Sequence, residues 1–299
     1  MGGRALWTAA AAAALGYCDR MRGWFLRLAL AGLALLVPAA YAAAQFEQWG
    51  RFREGSVAPV FPPSDFRAPS FTFCRLMYTQ VRREPMGMGW RTDYPYAEIN
   101  FMIRMSELTR AAVNLDANKQ PAHFVVRLTD DEVFGCPFVM ASDAGTIGFG
   151  PEEVKRLREY LLKGGFLWVD DFWGSAAWQQ WESQIAQVLP ASEYPIQELP
   201  PSDPVFRSLF TISRMPQITN IIFWRQVGGT STSERGSDSL EHPLRAIRDR
   251  HGRIMVLMTH NNDIADSWER EGEDPAFFYQ FSPDGYALGL NVLMYAMSH

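Results

Sequence analysis

The chain has 299 residues, 47% of them hydrophobic and 20% charged, with 20 Phe and 10 Trp. That is an ordinary globular composition with enough apolar material for a sizeable core. A net charge of -5 leaves no basic footprint and excludes a role built on nucleic-acid binding.

The N-terminus stands apart. Arg20, Arg22 and Arg27 precede an apolar run over residues 28–37, and Pro38 is followed by Ala39-Ala40-Tyr41-Ala42-Ala43-Ala44. A charged n-region, a short h-region and an A-x-A site are the anatomy of a secretory signal. Ala40-Tyr41-Ala42 and Ala42-Ala43-Ala44 both fit the cleavage pattern. Residues 1–44 are therefore expected to be a signal peptide, with an uncleaved N-terminal anchor as the alternative. The apolar stretch falls short of the roughly 20 residues a span takes. Met21 opens a compact n-region of its own, which would leave residues 1–20 upstream of the true start. Either way the domain is expected outside the cytoplasm, in the periplasm or an equivalent extracytoplasmic space.

Residues 45–70 carry Pro59, Pro62, Pro63 and Pro69 and read as a Pro-rich linker, either packed loosely on the domain or serving as a tether. The folded domain is expected over 71–299. Residues 71–81 alternate and are aromatic and branched, a first strand. A glycine-punctuated loop follows, with Gly87, Gly89 and Trp90. Asp93 and Pro95 then open a helix over 96–113, with Ile99, Met102 and Ile103 at helical spacing. Residues 123–128 and 137–141 are the next strands.

Gly150-Pro151-Glu152-Glu153 is a helix start, with Pro at the first position and acids in the first turn. Val154, Leu157 and Leu161 mark one face, and Gly164 supplies the stop. Residues 166–169 are apolar throughout, as a parallel strand buried on both faces must be. A helix over 175–189 ends at Pro190. Residues 194–200 suit a short edge strand, and 220–225 read as a further strand. Residues 228–243 are poor in apolar side chains and read as a mobile loop or insertion. Residues 245–248 and 253–259 flank Asp249-Arg250-His251-Gly252 as a hairpin. Ser282-Pro283-Asp284 is expected to cap a last, buried helix reaching about Met297.

Strands alternating with helices define an α/β domain, here a three-layer sandwich with a mostly parallel central sheet. Ligands of such sheets bind beyond the carboxyl ends of the strands. That rule selects Trp90, Asp93 and Tyr94 after the first strand, Asp170 and Asp171 after the central one, and His260, Asn261 and Asp263 after the late one, with Trp268 beyond. Asp170, Asp171, His260 and Asp263 are the candidate acid–base residues. Asp at a strand end equally caps a helix or pins a loop, and His260 equally serves as a structural hydrogen-bonding group. Trp90, Asp93, Tyr94, Asn261 and Trp268 are the candidate ligand contacts, although core packing is the common fate of aromatic side chains. No second histidine lies at helical or hairpin spacing from His260, so no metal site is expected. Gly87-Met88-Gly89 lacks the full G-x-G-x-x-G pattern, and no cofactor is expected. Cys74 and Cys136 lie beyond the signal; in an exported domain they can pair or remain buried thiols.

Several segments, in order, carry a resemblance: Trp90 to Pro95 leading into Asn100-Phe101, Ser106-Glu107-Leu108-Thr109, Glu152-Glu153-Val154 through Gly164-Gly165-Phe166-Leu167-Trp168-Val169-Asp170-Asp171, Thr259-His260-Asn261, and Ala287 to Ala296. The chain resembles a bacterial family of unknown function with a class I glutamine amidotransferase-like fold, whose members are often exported or attached to membrane proteins. The resemblance implies a flavodoxin-like scaffold. Amidotransferases use a Cys on a strand-to-helix elbow with a His and an acid. Here neither Cys74 nor Cys136 sits in a G-x-C-x-G elbow and no His-x-Glu pair follows a late strand, so glutaminase activity is not expected. The expected role is a non-enzymatic one in ligand binding or assembly, with envelope or membrane-complex proteins as partners. The alternative is a hydrolase acting on an envelope or carbohydrate substrate through the Asp/His set.

Overall fold

The computed structural model describes residues 57–66 and 70–299. The expected signal or anchor, residues 1–44, lies outside the described residues, as does much of the expected linker. Nine strands are described: β1 (Phe73–Met77), β2 (Thr79–Gln80), β3 (His123–Arg127), β4 (Phe138–Ala141), β5 (Ile147–Gly148), β6 (Phe166–Val169), β7 (Ile196–Glu198), β8 (Arg245–Arg248) and β9 (Ile254–Met258). The helices are α1 (Tyr96–Leu108), α2 (Pro151–Leu162), α3 (Gly174–Val188), α4 (Ile221–Gln226), α5 (Asp266–Glu269) and α6 (Pro275–Ser298).

Seven strands form one sheet in the order β3-β1-β4-β6-β9-β8-β7. The first five run parallel, and β8 and β7 add an antiparallel edge. The chain steps outward from β1 to β3, then returns past β1 to β4, so the winding reverses between β1 and β4. Such a reversal opens a crevice at the carboxyl ends of the strands. β2 and β5 leave the main sheet and pair antiparallel with each other.

Two apolar layers sandwich the sheet. Phe73, Met140, Phe166 and Trp168 face α1, α5 and α6, with Phe101, Trp268 and Leu290 among their neighbours. Leu76, Val139, Leu167 and Val169 face α2 and α3, packing with Leu157, Leu161, Trp181 and Ile185. β6 is therefore buried on both faces, as its unbroken apolar run requires. Truncating one such side chain to Ala typically costs about 2–5 kcal/mol. Ahead of β6, α2 begins where Glu153 accepts the Gly150 amide at 2.7 Å and ends at Gly164, with φ +111°. At Gly165 a Cβ would lie 2.4 Å from the Tyr160 ring, so that ring closes directly over the strand entrance.

Several expectations are corrected. Residues 220–225 are not a strand: Asn220 accepts the Ile222 amide at 2.8 Å and caps α4. Only Ile221 of the apolar triplet is fully buried, and three apolar residues fit either period. The last helix starts at Pro275, not near Ser282, because Asp274 accepts the amides of Ala276 and Phe277. Pro283 lies inside it; the carbonyl it leaves without a partner belongs to Tyr279, which is 78% exposed, so water can take that bond. α1 stops at Leu108 because Thr109 turns extended, and the chain then runs beside Phe71. Of the two readings of the linker, its described part is packed on the domain: Val60 accepts the Val125 amide at 2.8 Å, and Phe66 meets the Phe124 ring edge-on at 4.9 Å. This covers edge strand β3.

Residues 228–243 are not a free loop. Glu234 accepts from Thr219 and from the Asn220 amide, Asp238 accepts from Ser175, and Glu241 accepts from Asn261. The segment is tied down over the carboxyl end of the sheet. Cys74 and Cys136 form a disulfide across 62 residues of sequence, fastening β1 to the entry of β4. Among the described residues no helix is long and apolar enough to cross a membrane.

Candidate functional site

Three of the five parallel strands deliver polar residues to the same rim. β4 is followed by Ser142-Asp143, β6 by Asp170-Asp171, and β9 by Thr259 through Asp263. Asp93 arrives from the connection between β2 and α1. Four of these residues, Asp93, Asp143, Asp171 and Asn261, hold left-handed backbone, with φ of 66°, 53°, 52° and 60°. Asp and Asn tolerate that region best after glycine. The turns aim short polar side chains inward instead of letting the strands continue.

Asp93, Asp171 and Asp263 meet there. One carboxylate oxygen from each lies within 4.8 Å of the others. Asp93 accepts from the Ser142 hydroxyl at 2.9 Å, Asp171 from the Trp173 indole at 3.0 Å, and Asp263 from the Asp266 amide at 2.9 Å. The second oxygen of Asp263 has no hydrogen-bond partner. A second group, Asp93 with Asp266 and Glu269, is equally close. There Arg270 lies 3.4 Å from Asp266 and 2.8 Å from Glu269. Among the described residues no ion pair reaches Asp171 or Asp263.

Burial dominates the electrostatics. It pushes the Asp93 carboxyl up to about 6, against the pull of Arg75 and the Ser142 hydrogen bond. Burial, then neighbouring carboxylates, pushes Asp171 and Asp263 well above the ordinary range. Two carboxylates 4.8 Å apart repel by about 3.5 kcal/mol at an effective dielectric of ~20. The cluster therefore needs protons or a cation. Beneath it Arg75, wholly buried in β1, pairs with buried Glu98 and reaches the Thr92 carbonyl and the Ser142 hydroxyl. Burial opposes its charge, but Glu98 and Asp93 outweigh burial and raise its pKa.

The other candidates fall into different roles. Asp170 is a latch: its oxygens accept from the Thr259 hydroxyl and, at 3.0 Å, from the Ala265 amide, and burial pushes it up to about 7. His260 stands apart from the carboxylates. Its Nε2 lies 3.0 Å from the Gly174 carbonyl and its Nδ1 3.5 Å from Arg245, while its ring rests against Phe172 and Trp178. Burial lowers its pKa to about 4, so the ring is neutral and Nε2 is the donor. Asn261 braces the rim, accepting the Gly174 amide at 2.7 Å and donating to Glu241. Tyr94 accepts the Val60 amide at 3.2 Å. Trp268 is fully buried between Phe101 and Trp168 and offers no face to a ligand. Trp90 is half-buried beside Tyr94, with Arg91 over its ring at 4.7 Å.

Sequence reasoning missed Arg75, Ser142, Asp143, Asp266 and Glu269. Ser142-Asp143 follows an unbroken apolar strand just as Asp170-Asp171 does, so the same signal would have found it. A cavity of about 340 Å³ beside the β9 loop is lined by Gln217, Ile218, Thr232, His242, Phe281 and Asp284 among others. It takes in none of the three converging carboxylates, so the chemistry and this cavity are separate features.

The fold and the rim together define an α/β domain with a mostly parallel sheet and a buried carboxylate basin at its carboxyl end. Residues 72–297 match the family described as a domain of unknown function, DUF4159, and the chain belongs to that family. No curated protein matches it.

Proposed function

We propose that this is an extracytoplasmic ligand-binding domain on an amidotransferase-like scaffold that works through the acidic rim of its sheet. The observation that carries the reading is the convergence of Asp93, Asp171 and Asp263 from three separate connections to within 4.8 Å. Concentrating buried like charges is costly to the fold, and such sites are where binding and catalysis cluster. Counting only the parallel strands in chain order, the sheet reads 2-1-3-4-5, the flavodoxin-like winding. That supports the scaffold.

The thiol chemistry of a glutaminase has no candidate among the described residues, since Cys74 and Cys136 are bonded to each other. A disulfide also supports export, because such bonds persist in oxidising compartments. The signal anatomy of residues 20–44 points the same way. Envelope or membrane-complex proteins are the proposed partners.

The test has two arms. Cell fractionation should find the chain outside the cytoplasm with Cys74 and Cys136 resistant to alkylation before reduction. A thermal-shift panel of amino acids, sugars and peptides, run in parallel on the wild type and Asp171→Asn, should yield a ligand that stabilises the wild type alone. A panel in which every hit stabilises both equally overturns the rim as the site.

A second reading, a hydrolase acting on an envelope or carbohydrate substrate, is favoured by the same three carboxylates, which could share acid–base work. His260 is no part of that set, being engaged by Gly174 and Arg245.

A further inference from the structure

We propose that Asp93, Asp171 and Asp263 bind a hard divalent cation of the Mg²⁺, Mn²⁺ or Ca²⁺ class. This names a ligand for the rim described above and rests on that reading. Each residue offers one oxygen, and the three lie within 4.8 Å of one another. Oxygen ligands sit roughly 2.0–2.6 Å from these ions. Two oxygens on one ion are then separated by at most about twice that length, roughly 4–5 Å. The spacing is one that a single ion spans. A donor set of carboxylates alone, with neither imidazole nor thiolate, selects hard cations over zinc or copper.

A second observation points to a missing partner. Asp263 is wholly buried. One of its oxygens takes the Asp266 amide, and the other has no partner at all. Native proteins rarely leave a buried carboxylate oxygen with nothing to accept from. In the neighbouring group Asp266 Oδ1 also lacks a hydrogen bond, but there a protein cation stands beside the carboxylates. Arg270 Nε lies 3.4 Å from Asp266 and 2.8 Å from Glu269. Asp171 and Asp263 have no such cation among the described residues.

Access and capacity also fit. Asp171 is 9% exposed and Asp93 4%, while Asp263 is wholly buried, so Asp171 is the member nearest to solvent. Three protein oxygens leave coordination positions for water, which these ions retain readily. A cation there answers the mutual repulsion of the triad without protonating it. Ser142 holds Asp93 from behind at 2.9 Å, and Trp173 holds Asp171 at 3.0 Å. These bonds fix the direction of the two carboxylates, as groups behind metal ligands usually do.

The test uses the full chain, stripped with EDTA and titrated with Mg²⁺, Mn²⁺ or Ca²⁺ alone. At least one ion is expected to raise the melting temperature by several degrees, saturably, and Mn²⁺ to bind at one ion per chain by electron paramagnetic resonance. Asp263→Asn and Asp171→Asn are expected to remain folded and to lose that rise. Glu269→Gln, in the group served by Arg270, is expected to keep it. If millimolar ion changes neither the melting temperature nor the Mn²⁺ signal of the wild type, the inference is overturned. It is also overturned if both Asn variants respond as the wild type does. The two readings fail separately. Loss of small-molecule binding in Asp171→Asn without any cation effect sinks the cation and leaves the rim. Cation binding at the triad, with every panel ligand indifferent to Asp171, sinks the rim's ligand role and leaves the cation.

Discussion

Ser142 donates its hydroxyl to Asp93 at 2.9 Å, joining the end of β4 to the connection that leads into α1. The same hydroxyl oxygen accepts from Arg75. One small side chain thus couples the buried cation of β1 to the carboxylate basin above it. Ser142→Ala removes both bonds and leaves a buried donor on Arg75 unmatched. Leaving one buried polar group unsatisfied typically costs about 1–3 kcal/mol. Urea denaturation should show a lower midpoint with an unchanged slope. A midpoint equal to that of the wild type would mean that water replaces the hydroxyl at no cost.

Arg75 itself carries a larger prediction. It is fully buried and paired with fully buried Glu98. Removing one member of a buried pair strands the other, at about 3–5 kcal/mol. Arg75→Met should therefore be severely destabilising. The double variant Arg75→Met with Glu98→Leu should recover a large part of the loss, since the charge that Arg75→Met strands on Glu98 is then gone. The measurement is a double-mutant cycle by chemical denaturation. Additive losses would mean that the pair is not what makes Arg75 costly to remove.

Much of this fold is legible in local sequence, and the reasons are physical. The apolar run of β6, the Gly150-Pro151 helix start, the Gly164 stop and the turn at residues 249–252 are each decided within a few residues. Residues 220–225 were not, because Ile221, Ile222 and Phe223 suit strand and helix alike; the Asn220 cap decides, and its signal is one residue wide. The rim is legible residue by residue but not as a set. Asp171 and Asp263 stand out as strand-end acids, and Asp93 as an acid of the loop after the first strand. Their meeting depends on the reversal of winding between β1 and β4, which no spacing in the sequence encodes. Arg75 is harder still. A single charge in a five-residue strand looks like an exposed position of an alternating strand, and its burial is made tolerable by partners distant in sequence, Glu98 on α1 foremost.

The Cys74–Cys136 bond closes a long loop, 62 residues apart in sequence, and both side chains are buried. Cross-links of this kind typically stabilise by about 2–4 kcal/mol, mainly by restricting the unfolded chain. Cys74→Ala with Cys136→Ala should lower the denaturation midpoint accordingly, beyond the small loss of packing. Mild reductant should leave the native wild type oxidised, and reduction should follow only once the chain unfolds. Rapid reduction of the folded protein would contradict the burial of the bond.

His260 supplies a pH prediction. Burial lowers its pKa to about 4, helped by Arg245 and opposed by the Gly174 carbonyl and Asp238. The unfolded value is about 6.5. Between those values the unfolded chain binds the extra proton, so stability rises with pH across the window. The contribution of His260 is complete above about 6.5 and is lost as pH falls through 6.5 toward about 4. Its size is on the order of 3 kcal/mol. The rim carboxylates act in the opposite sense: burial raises Asp143 and Asp170 to about 7, which favours the folded state at low pH. The wild-type profile alone therefore mixes the two. The informative quantity is the stability of the wild type minus that of His260→Gln, measured by denaturation from pH 4 to pH 7. Gln keeps a donor for the Gly174 carbonyl but cannot titrate. The difference should grow with pH and level off near neutrality. A difference that stays flat across the window would mean that His260 titrates in the folded protein as it does in the unfolded chain, and that Arg245 and the rings of Phe172 and Trp178 do not exclude the charge.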